Sequence, residues 1–321
     1  MGDPNTLIDF ATWSMDNFPA EHYYLSIDDH GGGISGVAWD ETNYEDNLSN
    51  NELYAALKQI TQNGSRKIDL FAFEACLMGL YENSYDLKEF TDYVFAFPTI
   101  SWSSEASYPS YLGHPDFKGT TTGREFGDIM FDVYYESVRE PYYYTESLVE
   151  SGKMNAVQGA VNDWAITLLN EVGANKASLE SARRNAQKID SNVDNQITEE
   201  DSYIDLWDLA DKMADQGIAE QEGQALKDAI EASILRTAQR SDGDLDYGDT
   251  HGLTIYWPLT ASGGYSAYVD GLIYNSTRDG AWDEFLTAYF GEGVRAGLPV
   301  DMGPAERQQT TRNLLLPLIL R

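Results

Sequence analysis

The sequence predicts an α/β fold: a mostly parallel sheet flanked by helices. Three observations lead there. Short apolar runs of strand length recur at 23–27 (YYLSI), 68–73 (IDLFAF) and 93–97 (YVFAF). The first ends in Asp28-Asp29-His30 and three glycines, and the second runs straight into Glu74-Ala75-Cys76. Between them, 51–62 (NELYAALKQITQ) carries apolar residues at helical spacing. Unbroken apolar runs bounded by loop residues suit strands buried on both faces, and alternation with helices over 1–140 suits parallel pairing.

The remaining elements follow in order. Residues 4–17 read as a helix. The polar, acidic stretch 40–51 reads as a surface loop. A helix is expected directly after Cys76. Residues 99–120, rich in Ser, Tyr, Pro and Gly, read as a long loop. Helices are expected over 123–138, 153–172, 175–189, 203–215 and 219–239, a late strand over 253–257 (LTIYW), and a last helix over 279–290. The domain is placed at 1–290 and a tail at 291–321. No internal repeat is visible.

Composition narrows the function classes. The chain has 321 residues and 42% hydrophobic residues, enough for a sizeable core. Lys plus Arg total 21 against 53 Asp plus Glu, a net charge of -32. Such a surface repels phosphate backbones, which argues against nucleic acid, and it favours cationic substrates. One cysteine permits no internal disulfide, zinc finger or redox pair. The first residues have no basic start and no continuous apolar run, so no signal peptide is expected in this stretch. No segment reaches the roughly 18 apolar residues of a membrane span; the nearest, 314–320, is short and contains Pro317.

The chemistry is expected at two strand ends. In open α/β sheets, functional groups gather beyond the carboxyl ends of the strands. A β-helix-β connection would set His30 and Cys76 on one edge of the sheet. A cysteine nucleophile needs an imidazole within hydrogen-bond reach. Gly31 has no side chain to block its N–H, which suits it to a developing oxyanion, and the Cys76 N–H is the natural second donor. Taken singly, a lone cysteine after an apolar strand is usually an inert core residue, and a histidine in a glycine-rich loop is usually a turn residue. Gly31 to Gly36 also matches G-x-G-x-x-G, but the acidic stretch that follows Trp39 is no helix start, which argues against a dinucleotide fold.

Together, the two motifs point further. Asp29-His30-Gly31-Gly32-Gly33 and Glu74-Ala75-Cys76-Leu77-Met78-Gly79 resemble the two catalytic motifs of the clostripain-like cysteine peptidases, in the clan of caspases, legumains and gingipains. The stretch before His30, the loop 101–113, and the segments 203–210 (YIDLWDLA) and 252–258 (GLTIYWP) resemble further family segments. The resemblance implies a caspase-like fold and a dyad in which Cys76 attacks the peptide carbonyl and His30 protonates the leaving amine. It implies a cysteine endopeptidase acting on peptides and proteins after Arg, then Lys. Glu74 would read the basic side chain, where Asp is usual, with Glu105 as a second acid. It also implies an extracellular or cell-surface setting. Family members carry an N-terminal strand–helix–strand portion ahead of this stretch, so an open sheet edge is expected, and an inactive, peptide-binding relative is the alternative reading. Residues 37–57 contain no Lys or Arg, so self-cleavage there is not expected.

No cofactor or metal is implied at the dyad. Calcium enters only through Asp190-Ser191-Asn192-Val193-Asp194-Asn195 with Thr198 and Asp201, which imitates a calcium loop without its glycine or terminal Glu. His22, His114 and His251 read as loop residues.

Overall fold

The computed structural model describes residues 2–102, 108–138, 142–262 and 264–291. Its strands are β1 (Tyr24–Asp28), β2 (Val37–Asp40), β3 (Asp46–Leu48), β4 (Ile68–Glu74), β5 (Thr91–Ala96), β6 (Tyr144–Glu150), β7 (Lys188–Ile189), β8 (Tyr203–Asp205), β9 (Ile234–Arg240) and β10 (Thr254–Tyr256). Its helices are α1 (Pro4–Asn17), α2 (Asn50–Ile60), α3 (Tyr81–Leu87), α4 (Tyr108–Leu112), α5 (Gly123–Ser137), α6 (Met154–Asn185), α7 (Leu206–Asp215), α8 (Glu220–Ser233), α9 (Tyr265–Val269) and α10 (Trp282–Phe290).

The central sheet has the order β1-β4-β5-β6-β9. β1, β4 and β5 are parallel, and β6 and β9 extend the sheet antiparallel. Along β4 the side chains alternate. Leu70 and Ala72 pack with Phe95, Phe97, Phe126 and Tyr134 on the α5 side. Phe71 and Phe73 pack with Leu25, Ile27 and the residues of α6 on the other. Both faces are covered, which is why these strands read as continuous apolar runs. β1 lies at the edge of this sheet.

A second sheet, β10-β8-β7, is tied to the segment after Cys76: the Thr254 N–H donates to the Gly79 carbonyl at 3.0 Å. Behind it, Trp164 of α6 stacks on Trp282 of α10 at 5.5 Å, and Trp257 meets Trp282 edge-on. Buried Arg183 donates to the carbonyls of Trp257 and Asp201, satisfying its charge in the core.

Several expectations need correction. Residues 37–48 form the β2–β3 hairpin within and ahead of the expected loop, because Val37 and Leu48 pair and bury their side chains. Ser49 then caps α2 with a reciprocal Glu52 capping box. No helix begins at Cys76; α3 starts at Tyr81. Leu77 takes φ +62, and its N–H and that of Gly79 donate to the Thr99 and Phe97 carbonyls, so the segment cannot enter a helix. The two helices expected over 153–172 and 175–189 are present as the two arms of α6, which meet at a kink at Asn175. The stretch 219–239 divides into α8 and β9, and β6 was not foreseen. A short helix, α4, lies within the expected 99–120 loop.

α3 fixes the Cys76 turn from beneath. Glu82 is fully buried and accepts from the Tyr268 hydroxyl at 2.6 Å and the Tyr256 N–H at 3.3 Å. Asp86 accepts from the Asn275 N–H and side-chain amide, each at 3.0 Å, and from the Ser276 N–H. Burial raises the Glu82 carboxyl from 4.5 to about 7, only partly offset by these hydrogen bonds. The folded state therefore binds this proton more tightly than the unfolded chain, and the Glu82 contribution falls as pH rises from 4.5 through 7. Glu82→Gln keeps an acceptor for Tyr268 and cannot ionise. We expect it to gain about 1–3 kcal/mol over wild type at pH 8 and to lose most of that gain at pH 5. Urea unfolding at the two pH values measures this, and a gap independent of pH would refute it.

Candidate active site

The parallel register places the two motifs side by side. Asp28 of β1 pairs with Glu74 of β4 as the last pair. His30 and Cys76 therefore each lie two residues beyond it, on the same edge. Their loops touch. A Cβ added to Gly31 would sit 2.1 Å from the Cys76 carbonyl oxygen and 3.0 Å from its nitrogen, so only glycine allows this approach.

The loop after His30 folds back as a narrow turn. Ala38 N–H donates to the His30 carbonyl and Gly32 N–H to the Gly36 carbonyl, both at 3.0 Å. Gly31 and Val37 form the pair between these bonds, so the turn does not use the Gly31 N–H. Tyr203 of β8 pins the tip: its hydroxyl donates to the Gly32 carbonyl at 2.9 Å and accepts from the Ile34 N–H at 3.0 Å. Gly33 takes φ +61 directly against the Tyr203 ring, which excludes any other residue there.

Cys76 is partly buried. Its Sγ lies 3.4 Å from the Ser101 N–H and 3.8 Å from the Ser101 carbonyl oxygen. The next peptide is held by Trp102, whose N–H donates to the Tyr134 hydroxyl at 2.8 Å and whose indole donates to the Tyr143 carbonyl. Burial pushes the thiol up, and the Ser101 hydrogen bond pulls the other way without prevailing. The helix start expected at Cys76 is absent, because α3 begins five residues later, so no helix dipole reinforces the Cys76 N–H.

The His30 ring is 73% exposed, and its Nε2 lies 3.8 Å from the Glu41 carboxylate. Asp29 accepts the His30 backbone N–H at 2.6 Å. Glu41, the acid beside the ring, was missed. It lies in the turn of a hairpin that its polar sequence hides.

Glu74 lies on the α5 side of the sheet. It accepts from the Ser26 hydroxyl at 2.7 Å and from the Tyr111 hydroxyl of α4 at 3.1 Å. Burial raises its carboxyl, nearby Asp28 adds to this, and the Ser26 and Tyr111 hydroxyls oppose it. Glu105 lies outside the described residues. In the loop that imitates a calcium site, Asp190 accepts the N–H groups of Asp194 and Asn195, and Asp201 those of Ser191 and Thr198. These carboxylates close turns in their own loop. Among the described residues, no group of three or more His, Cys, Asp or Glu side chains is placed to hold a metal ion.

A thiol and an imidazole at adjoining ends of parallel strands, on a sheet covered on both faces, define a caspase-like α/β protein. The sequence pattern of the clostripain family matches residues 1–289, and the chain belongs to that family. It is 24% identical to clostripain of Hathewaya histolytica over 254 residues, which is 66% of this chain and 48% of clostripain. The chain thus spans about half the length of that relative. The fold is similar to a secreted C11 cysteine protease of Bacteroides thetaiotaomicron bound to an irreversible peptide inhibitor, at TM-score 0.64 and 17% identity over 88% of this chain and 79% of that one. It is also similar to an inactive zymogen C11 protease of Parabacteroides distasonis, at TM-score 0.63 and 18% identity over 87% and 75%.

The Gly31 contact gives a direct test of the site. We expect Gly31→Ala to force the two loops apart, costing about 2–4 kcal/mol of stability and at least about 100-fold in any Cys76-dependent turnover. Thermal unfolding and Cys76 alkylation read the two effects. An alanine variant with wild-type behaviour in both would contradict the packing described.

Proposed function

We propose that this chain is a cysteine endopeptidase that hydrolyses peptide bonds after Arg, then Lys, in peptides and proteins. The contact of Gly31 with the Cys76 backbone carries the reading, because it brings the His30 and Cys76 loops together at one sheet edge. The Cys76 thiol proton passes to His30 as Sγ bonds to the substrate carbonyl carbon. The oxyanion so formed accepts hydrogen bonds from the Gly31 and Cys76 N–H groups. His30 then gives the proton to the leaving amine as the C–N bond breaks, leaving a thioester. Water, deprotonated by His30, cleaves the thioester to an acid and restores the thiol.

Selectivity for a basic residue rests on Glu74. A guanidinium beside a buried carboxylate repays the burial of both charges and holds Glu74 ionised. The Ser26 and Tyr111 hydroxyls now meet that carboxylate, so a basic side chain enters by displacing or joining them. The net charge of -32 favours cationic peptides in the same direction. Secretion of the B. thetaiotaomicron neighbour supports an extracellular setting. No helix among the described residues is long and apolar enough to cross a membrane.

Paired fluorogenic peptides ending in Arg or Asp test the function. Cleavage after Arg is expected and should fall at least about 1,000-fold in Cys76→Ala. His30→Ala should slow both turnover and iodoacetamide alkylation near neutral pH. No cleavage by folded wild type would favour a peptide-binding relative without activity. Glu74→Gln preserves the shape and removes the charge, so kcat/KM for Arg substrates should fall by about 10- to 100-fold. Unchanged Arg preference in that variant would remove Glu74 as the selector.

A further inference from the structure

A groove of about 480 Å³ opens beside the His30 turn. We infer that it binds the leaving half of the substrate, the residues after the cleaved bond, and that it favours an apolar residue followed by a basic one. The inference rests on the peptidase reading above.

Both walls of the groove lead to the catalytic loops. One wall is Ile34 and its neighbours, in the turn that begins at Gly31. The other includes Asn192 and Glu200, from the segment 190–202. That segment also reaches the cysteine side: Asn195 accepts from the Tyr143 hydroxyl at 3.3 Å, and the Tyr143 carbonyl holds the Trp102 indole next to Ser101 and Cys76. The segment therefore spans from one catalytic loop to the other along the cleft.

The two sides of the sheet give the direction. Glu74 follows Leu70 and Ala72 in the alternation and meets Tyr111 on the α5 side. The groove floor, Tyr203 and Tyr256, packs in the opposite cluster with Phe71 and Phe73. A peptide crossing the sheet edge with its basic residue at Glu74 passes Cys76 and His30 and continues over Tyr203. His30 hands its proton to the departing amine, so the departing chain lies on the side of the His30 turn.

The lining gives the chemistry. Ile34 and the two tyrosine rings make an apolar floor, and Leu259 at the rim is left 42% exposed. Burying such a side chain against a partner is favourable. Among the described residues lining the groove, Glu200 is the one that carries charge, and it is exposed.

Three substrates sharing one acyl half ending in Arg test this: an arylamide, a quenched peptide with Leu then Lys after the cleaved bond, and the same peptide with Leu then Glu. Wild type should prefer the Lys peptide to the Glu peptide by about two- to fivefold in kcat/KM, and Glu200→Lys should invert that ratio. Leu259→Asp should lower kcat/KM for both peptides about tenfold relative to the arylamide. The arylamide, run in parallel, reports the folding of each variant. Arylamide cleavage with peptide ratios that neither variant moves overturns the groove assignment alone. Failure of wild type to cleave any of the three overturns the peptidase reading and this inference with it.

Discussion

The site depends on one steric condition: the backbone of Gly31 lies against the backbone of Cys76 with no room for a methyl group. Parallel pairing of β1 with β4 brings the two strand ends to the same level. The glycine then lets the loops close over the sheet edge instead of splaying. A side chain there would separate histidine from cysteine, and the register of the sheet would be of no use to chemistry. The positive φ of Gly33 serves the same end one turn further on, by letting Tyr203 grip the tip of the His30 turn.

That closure is held from several directions. The cysteine loop is locked to Phe97 and Thr99 by backbone hydrogen bonds and to the Ser101 N–H through the Cys76 Sγ, and Tyr134 fixes the peptide beyond. The second sheet grips the same loop through Thr254, and buried Glu82 and Asp86 anchor α3 to 256–276. Buried carboxyls whose pKa values rise to about 7 are a costly way to anchor a helix. They do, however, give α3 directional hydrogen bonds that apolar packing cannot supply, and so fix its rotation under the Cys76 turn.

Much of this was legible in the sequence, for a physical reason. Strands β1, β4 and β5 are buried on both faces, so their apolar runs stand out, and the residues at their ends announce themselves as Asp-His-Gly-Gly-Gly and Glu-Ala-Cys. α1 was read to its observed bounds because Asp3 and Pro4 mark its start. The rest fails where the local pattern is ambiguous. β6 (YTESLVE) buries Thr145, Glu146 and Ser147 in a polar-looking strand, and β9 (ILRTAQR) follows α8 without a turn residue. The β2–β3 hairpin rests on Val37 and Leu48 amid acidic residues, which hid Glu41 as the neighbour of the His30 ring. The turn at Cys76 depends on long-range bonds to Thr99 and Phe97, which no local pattern encodes.

On the peptidase reading, burial acts on both the nucleophile and the selector before substrate arrives. Burial pushes up both the Cys76 thiol and the Glu74 carboxyl, because it withholds each charged form from water. A cationic side chain docking at Glu74 relieves one of these. The same docking brings the scissile carbonyl to Sγ, where His30 can take the proton as the new bond forms. On that reading selectivity sits at the carboxyl end of β4, two residues before Cys76, so one strand would position both the selector and the nucleophile.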